Sequence, residues 1–189
     1  MSFGRTISLV DFSGVVLAGG KSRRFGSDKA RFVYNGKPMM QWVLDSFEGA
    51  SERFIVANQR YEFNVPVYAD VISSHTPLSG IHSALFHAKH DWVVVAACDM
   101  PYLTTHYWQT LQEYCHDTKA VVVESGFGLE PLAAFYHRSL VWTIETALKQ
   151  EQKAVHLFLE SIDKTVIKVE SLNLPNNTFL NVNRLEDIN

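Results

Sequence analysis

Five cationic side chains crowd into eleven residues of this sequence: Lys21, Arg23, Arg24, Lys29 and Arg31, against the single carboxylate of Asp28. They follow the pair Gly19-Gly20 and enclose the hydroxyl of Ser22. Glycines let a ligand approach the backbone and permit positive φ, so successive N–H groups can form an anion-binding nest. A planar guanidinium at Arg24 and a compact ammonium at Lys29 grip phosphate oxygens in different ways. The cluster is too short to track a nucleic-acid backbone and about the right size for one polyphosphate. A solvated surface loop with the same charges is the plainer alternative. The spacing is neither that of the standard phosphate loop, GxxxxGK[ST], nor that of the dinucleotide fingerprint, GxGxxG.

Three further polar residues stand where apolar runs stop. Asp99 follows Trp92-Val-Val-Val-Ala-Ala97, the most hydrophobic stretch in the chain. A carboxylate there is either a ligand for a hard cation or a cap on the next turn. Asp70 ends the run 65–68 and Asn58 ends the run 53–57. The amide of Asn58 both donates and accepts, as the edge of guanine does; an Asx turn is its plain alternative, as a turn is for Asp70. His87 and His90 fall three apart, but no carboxylate or cysteine joins them at a metal-ligand spacing, so surface positions are expected. Cys98 and Cys115 form no CxxC, which argues against a disulfide framework or a structural zinc site.

These residues need a scaffold. Residues 14–18 read as a buried strand entering a glycine loop, and 53–57, 65–68, 92–97, 119–123, 132–136, 165–169 and 178–183 as further strands. Residues 37–38 read as a turn. Helical spacing starts at Met39 and takes in Met40, Trp42, Val43, Leu44 and Phe47. Further helices are expected over 78–89, with Leu78, Ile81, Leu85 and Phe86 on the apolar face, over 140–149 and over 154–159. Another runs from a cap at Thr104 through Cys115. Trp42, Trp92, Trp108 and Trp142 read as core. Residues 1–13 read as a loose arm or an extra strand. The alternation of strand and helix predicts an α/β three-layer sandwich: a Rossmann-like, mostly parallel sheet with helices on both faces. In such folds ligands bind beyond the carboxyl ends of the strands, where Gly19-Gly20, Asn58, Asp70 and Asp99 fall.

The 189 residues suit a single domain spanning 1–189. At 47% hydrophobic and 20% charged, the chain has too much apolar content for disorder. Its net charge of −3 offers no global field to draw nucleic acid or membrane. No apolar run approaches the ~18 residues of a membrane span, and residues 1–12 lack a signal-peptide pattern, so a cytoplasmic enzyme is expected.

The string Leu17-Ala-Gly-Gly-Lys-Ser-Arg-Arg-Phe-Gly-Ser-Asp-Lys29 resembles the signature LAGGxSxRxGxDK of the molybdenum cofactor guanylyltransferases, within the Rossmann-like nucleotidyltransferases. Asp70 followed by Pro77-Leu-Ser-Gly-Ile81 resembles the family's Asp…GPLxGI segment, and Cys98-Asp-Met-Pro101 its CDxP segment. Pro131-Leu132 with Phe135-Tyr136 resembles PLxxxY, and Phe179-Leu-Asn-Val-Asn183 resembles FxNxN. The likeness spans residues 14–187. It departs at Thr76, where the family usually has glycine, so that loop is expected to be stiffer. It departs again at Arg184-Leu185, where Thr-Pro is common.

The resemblance implies transfer of GMP from GTP to a molybdenum-molybdopterin cofactor, with release of pyrophosphate. It implies Mg²⁺ at Asp99, and Lys29 and Arg24 offsetting phosphate charge in the reaction. It implies nucleotide contacts at Leu17, Ala18, Gly19, Gly20, Ser22, Lys29, Asn58, Asp70, Pro77, Leu78, Gly80 and Asp99. Asn181 and Asn183 would meet the pterin side, lying with Phe179 on one face of the last strand while Leu180 and Val182 point to the other. Proteins that insert molybdenum, and apo-molybdoenzymes, are the partners implied. A sister enzyme using CTP is the nearest rival; its relatives tend to read LAAG, and Gly19 leaves room for a purine. A non-catalytic nucleotide-binding protein would be expected to lose Lys29 or Asp99, and a sugar-1-phosphate nucleotidyltransferase to be longer.

Overall fold

The structure, a computed structural model, describes residues 10–19 and 29–182, with Lys29 described in its backbone alone. Gly20, Ser22, Arg24 and Asn183 lie outside the described residues, as do residues 1–9 of the expected arm. In chain order the elements are β1 (Phe12–Leu17), β2 (Val33–Tyr34), β3 (Lys37–Pro38), α1 (Met39–Ser46), β4 (Glu52–Val56), β5 (Val67–Tyr68) and α2 (Pro77–His87). There follow β6 (Trp92–Ala97), α3 (Thr105–Gln112), β7 (Ala120–Ser125), β8 (Gly128–Leu129), β9 (Ala133–His137), α4 (Val141–Lys149), α5 (Val155–Glu160) and β10 (Thr165–Lys168). A 3-10 turn, Lys29–Arg31, leads into β2.

One sheet runs in the order β10-β7-β9-β6-β1-β4-β5, with β8 paired to β7. β1 sits between β4 and β6, parallel to both, and is buried at every residue. A strand covered on both faces must be largely apolar, which explains the Val-rich runs of β1 and β6; the buried hydroxyl of Ser13 in β1 donates to Glu52 Oε1 at 2.7 Å. β9 runs against its neighbours β6 and β7, and the short β8 runs against β7. Helices cover both faces. α1 and α3 bury Met40, Val43, Phe47, Tyr107 and Trp108 on one side. α2, α4 and α5 bury Leu78, Ile81, Ile144 and Phe158 on the other.

Gly14 lets α1 lie close: a Cβ there would stand 2.7 Å from Cγ of Phe47, well inside contact distance. Among the described residues no helix is long and apolar enough to cross a membrane.

Several expectations need correction. Phe12 and Ser13 belong to β1 rather than to an arm, and they pair with Trp92 and Val93. Lys37–Pro38 is not the turn but a strand; the turn is Asn35-Gly36, where both residues have positive φ (46° and 84°). α3 begins at the Thr104 cap as expected but ends at Gln112. Trp142 is 66% exposed and Phe86 is 47% exposed, so neither is core; each helix narrows its buried stripe to the residues facing the sheet.

The expected strand over 178–183 is absent: residues 176–179 form a turn and 180–182 run on without a ladder. Phe179 and Val182 are buried while Leu180 and Asn181 are exposed. The alternation expected of a strand therefore does not hold, and Phe179 does not share a face with Asn181.

Candidate functional site

The C-terminal ends of β1, β4, β5 and β6 meet at one edge of the sheet, and the reversed β9 brings its N-terminal end to the same edge. A cleft of about 380 Å³ opens there. Leu17, Val56, Ala97 and Leu132 supply its apolar lining, and Asn58, Gln59, Asp70, His75 and Asp99 supply polar groups. A few polar groups over an apolar lining is the usual build of a small-ligand site.

The strand ends are knitted together before any ligand arrives. Ala18 N–H donates to Val56 O at 2.9 Å, and Cys98 N–H to Leu17 O at 3.1 Å. Ala97 N–H donates to Leu132 O at 3.0 Å. Asp99 lies two residues past β6, partly buried, and its backbone carbonyl accepts from Val182 N–H at 2.9 Å. That bond brings the 180–182 segment alongside Asp99, so Asn181 stands, exposed, next to the residue that fixes it.

Asn58 and Asp70 come together through strand register. The β4–β5 pairing sets Val56 opposite Tyr68, and the same offset places Asn58 opposite Asp70. Asn58 Nδ2–H donates to Asp70 Oδ2 at 2.8 Å, and Asp70 N–H donates to Asn58 Oδ1 at 3.1 Å. The amide that the sequence offers to a guanine edge is thus held by Asp70.

On the next wall, Thr76 caps α2. Its hydroxyl accepts from Ser79 N–H at 3.3 Å, and Ser79 Oγ accepts from Thr76 N–H at 3.2 Å, a reciprocal capping box with Pro77 at the first helical position. The departure from glycine at Thr76 is therefore a built helix start. Gly80, one turn on, packs under Leu17: a Cβ there would lie 3.0 Å from Leu17 Cδ1.

Leu17, Ala18, Gly19, Asn58, Asp70, Pro77, Gly80 and Asp99 all converge on the cleft. Leu78 does not. It is wholly buried between α2 and the sheet, because it is the inward residue of the first turn. Lys29 opens the 3-10 turn, and the next residue, Ala30, is buried against α1.

Sequence reading missed Gln59, Tyr61, His75 and Cys98, which also line the cleft. Gln59 donates to the Tyr61 hydroxyl, and Arg31 lies over the Tyr61 ring, 5.5 Å from its centroid, while bonding Arg60 O at 2.7 Å. His75 holds φ at +53°, a conformation that costs most residues energy and gathers at functional sites. No signal in the sequence marks it. Thr76-Pro77 did carry a signal, since a Thr followed by Pro is a helix start.

Among the described residues no three His, Cys, Asp or Glu side chains gather as a metal cluster. A partly buried Asp99 at the cleft edge nonetheless fits Mg²⁺ that arrives with a nucleotide, for such an ion takes one or two protein carboxylates and fills its shell with phosphate and water oxygens.

A mostly parallel α/β sheet whose strand ends present Gly19, Asn58, Asp70 and Asp99 to a nucleotide-sized cleft defines a Rossmann-like nucleotidyltransferase. Residues 14–165 match the MobA-like NTP transferase domain, and the chain belongs to that family. A molybdenum cofactor guanylyltransferase from Yersinia pseudotuberculosis is 34% identical over 165 residues, covering 84% of this chain and 85% of that protein. The crystal structure of molybdopterin-guanine dinucleotide biosynthesis protein A from Archaeoglobus fulgidus superposes with a TM-score of 0.79 at 27% identity, covering 93% of this chain and 94% of that one. A nucleotidyl transferase from Methanothermobacter, at 14% identity and a TM-score of 0.75 over 94% of each chain, shares the fold.

Proposed function

We propose that the protein transfers the guanylyl group of GTP to a molybdopterin-type cofactor carrying molybdenum, giving the guanine dinucleotide form and pyrophosphate. The observation that carries this reading is the convergence of Gly19, the Asn58–Asp70 pair and Asp99 on one cleft at the strand ends. Relatives named molybdenum cofactor guanylyltransferase over most of the chain supply the acceptor.

In the reaction an oxygen of the cofactor's terminal phosphate attacks the α-phosphorus of GTP. The bond from that phosphorus to the bridging oxygen breaks, and pyrophosphate leaves with the electron pair. Such transfers need no protein nucleophile; positioning and charge neutralisation dominate. Mg²⁺ held through Asp99 would supply a Lewis acid for the phosphates. Lys29, and Arg24 from the same basic run, would neutralise charge that builds on the leaving group. The apolar lining of Leu17, Val56 and Leu132 excludes water from the base and ribose.

Gly19 is read as the position that leaves room for a purine. A Cβ built there meets no described atom within 4 Å, so among the described residues packing does not demand glycine. Asn181, exposed in the segment that Asp99 O holds, is the described residue assigned to the acceptor. Proteins that insert molybdenum, and apo-molybdoenzymes that take up the product, are the partners this reaction calls for.

The test is transfer of α-labelled nucleotide to molybdenum-loaded cofactor with Mg²⁺, run in parallel with GTP, CTP, ATP and UTP. Label should move from GTP at least tenfold faster than from the others. Equal rates with CTP would sink the guanine assignment, and no transfer from any nucleotide would sink the enzyme.

A further inference from the structure

Tyr34 and Tyr102 are 68 residues apart in sequence and meet hydroxyl to hydroxyl at 2.8 Å. Their rings stand edge to face, with centroids 5.8 Å apart and planes at 75°. Neither has a part in the nucleotide contacts described above, yet each sits on a segment that carries one. Tyr34 ends β2, directly downstream of the Lys29–Arg31 turn. Tyr102 lies just beyond Asp99, in the loop between β6 and α3.

The hairpin that bears Tyr34 is fixed firmly at its base. Trp42 Nε1–H donates to Tyr34 O at 2.8 Å, and Met39 N–H to Phe32 O at 2.9 Å. Lys37 Nζ sits 2.5 Å from Asp45 Oδ2 and 3.9 Å from the centroid of the Trp42 ring. Gln41 Nε2–H donates to Asp45 Oδ1 at 2.7 Å. The segment from the basic turn through β3 is therefore one body with α1. The tyrosine hydroxyls join that body to the Asp99 loop. The Tyr34 hydroxyl, and then burial, push the Tyr102 hydroxyl up to about 12, so Tyr102 keeps its proton at neutral pH.

We propose that the Tyr34–Tyr102 pair is a positioning contact for guanylyl transfer: it sets the segment that begins at Lys29 against the loop that carries Asp99. The inference rests on the reading of Lys29 and Asp99 as the groups that flank the reacting phosphates. In a reaction run by positioning and charge, the separation of cation and carboxylate governs the rate, and a displacement of about 1 Å can cost on the order of a hundredfold. The pair ties the backbone that leads from Lys29 to the Asp99 loop, and neither tyrosine lines the cleft. It thus acts on turnover and leaves ground-state affinity alone.

The experiment compares wild type with Tyr34→Phe, Tyr102→Phe and the double variant. Phenylalanine keeps the ring contact and removes only the hydroxyl. Each single change should lower kcat about tenfold, with KM for GTP within about twofold of wild type. The double variant should match the singles, since either change breaks the same bond. A contact that served stability alone would lower Tm and leave kcat intact well below Tm; that result overturns the proposal, as does additive loss in the double variant. Wild type that transfers no guanylyl group would refute the proposed function instead. Amide hydrogen exchange then decides the pair. Faster exchange over residues 30–34 in both single variants supports the joint, and unchanged exchange overturns it.

Discussion

Asn58 and Asp70, at the ends of neighbouring parallel strands, hold each other through both ends of the asparagine amide. The pair presents a carboxylate to the cleft in a fixed orientation and leaves Asn58 one N–H to offer. If Asp70 meets the nucleotide and Asn58 aims it, their effects are coupled. Asn58→Ala and Asp70→Ala should each weaken GTP binding by about tenfold, and the double variant should be no weaker than Asp70→Ala. Titration calorimetry on the three variants checks this. Additive losses would mean that each residue contacts GTP independently.

Asp99→Asn keeps the shape of the side chain and the backbone carbonyl that accepts from Val182. It removes the charge that would hold Mg²⁺. Turnover should fall by about two orders of magnitude or more, with Tm nearly unchanged. Activity within a few-fold of wild type at saturating Mg²⁺ would reduce Asp99 to a turn residue.

Gly14→Ala is a test of packing. Its new methyl would press on the Phe47 ring from 2.7 Å, and the ring is itself wholly buried. Overpacking of this kind costs about 1–3 kcal/mol. Trimming the ring with Phe47→Leu should make room, so the combined variant should be less destabilised than the sum of the two. Urea unfolding of the single and paired variants reads the difference. Simple additivity would show that α1 shifts freely and that the close approach is not a constraint.

His82 should make stability fall in mild acid. The side chain is 1% exposed, and neither ring nitrogen has a hydrogen-bond partner. Burial pushes its pKa below 6.5, against an opposing pull from Glu145, whose Oε2 lies 3.9 Å from Nε2. The folded chain therefore holds His82 neutral while the unfolded chain protonates near 6.5. Stability is full above that pH and declines below it, until the folded-state pKa is reached. His87 and His137 are lowered by burial too and add to the same trend, so a variant must isolate His82. Thermal melts from pH 8 to pH 5 should show a shallower loss of Tm for His82→Leu than for wild type. Parallel curves would assign the acid sensitivity elsewhere.

What the sequence revealed, and what it hid, follows the range of the forces involved. β1 and β6 are legible because burial on both faces demands continuous apolar residues, and Asp99 is legible because it ends such a run. The direction of β9 is not, since a run of Ala-Ala-Phe-Tyr says nothing of which way it lies; the β7–β8 hairpin turns it. The Asn58–Asp70 bond depends on register between two strands, a relation no local pattern carries. Resemblance alone makes Leu78 a nucleotide contact, and helix geometry turns its side chain inward, away from the cleft lining. Over 178–183 alternating amides and apolar residues mimicked a strand. Phe179, at the end of the turn, and Val182, three residues on, are the apolar side chains that are buried.

Pro77 brings no N–H to the first turn of α2, and that of Ser79 is taken by the Thr76 hydroxyl. The wall that α2 forms is thus poor in donors for anionic oxygen, even though a helix begins there. Asp70 adds a carboxylate close by. Gly19 and Asp99 line the same cleft at the ends of β1 and β6. For the transfer proposed above, the lack of donors disfavours an orientation that sets the triphosphate against the α2 wall. On that proposed function, the base would lie toward α2 and the β4–β5 end and the phosphates toward β1 and Asp99. A nucleotide entering the other way round would set its triphosphate against a donor-poor helix start and the Asp70 carboxylate, so the capping of α2 would bear on the direction of insertion before any base is read.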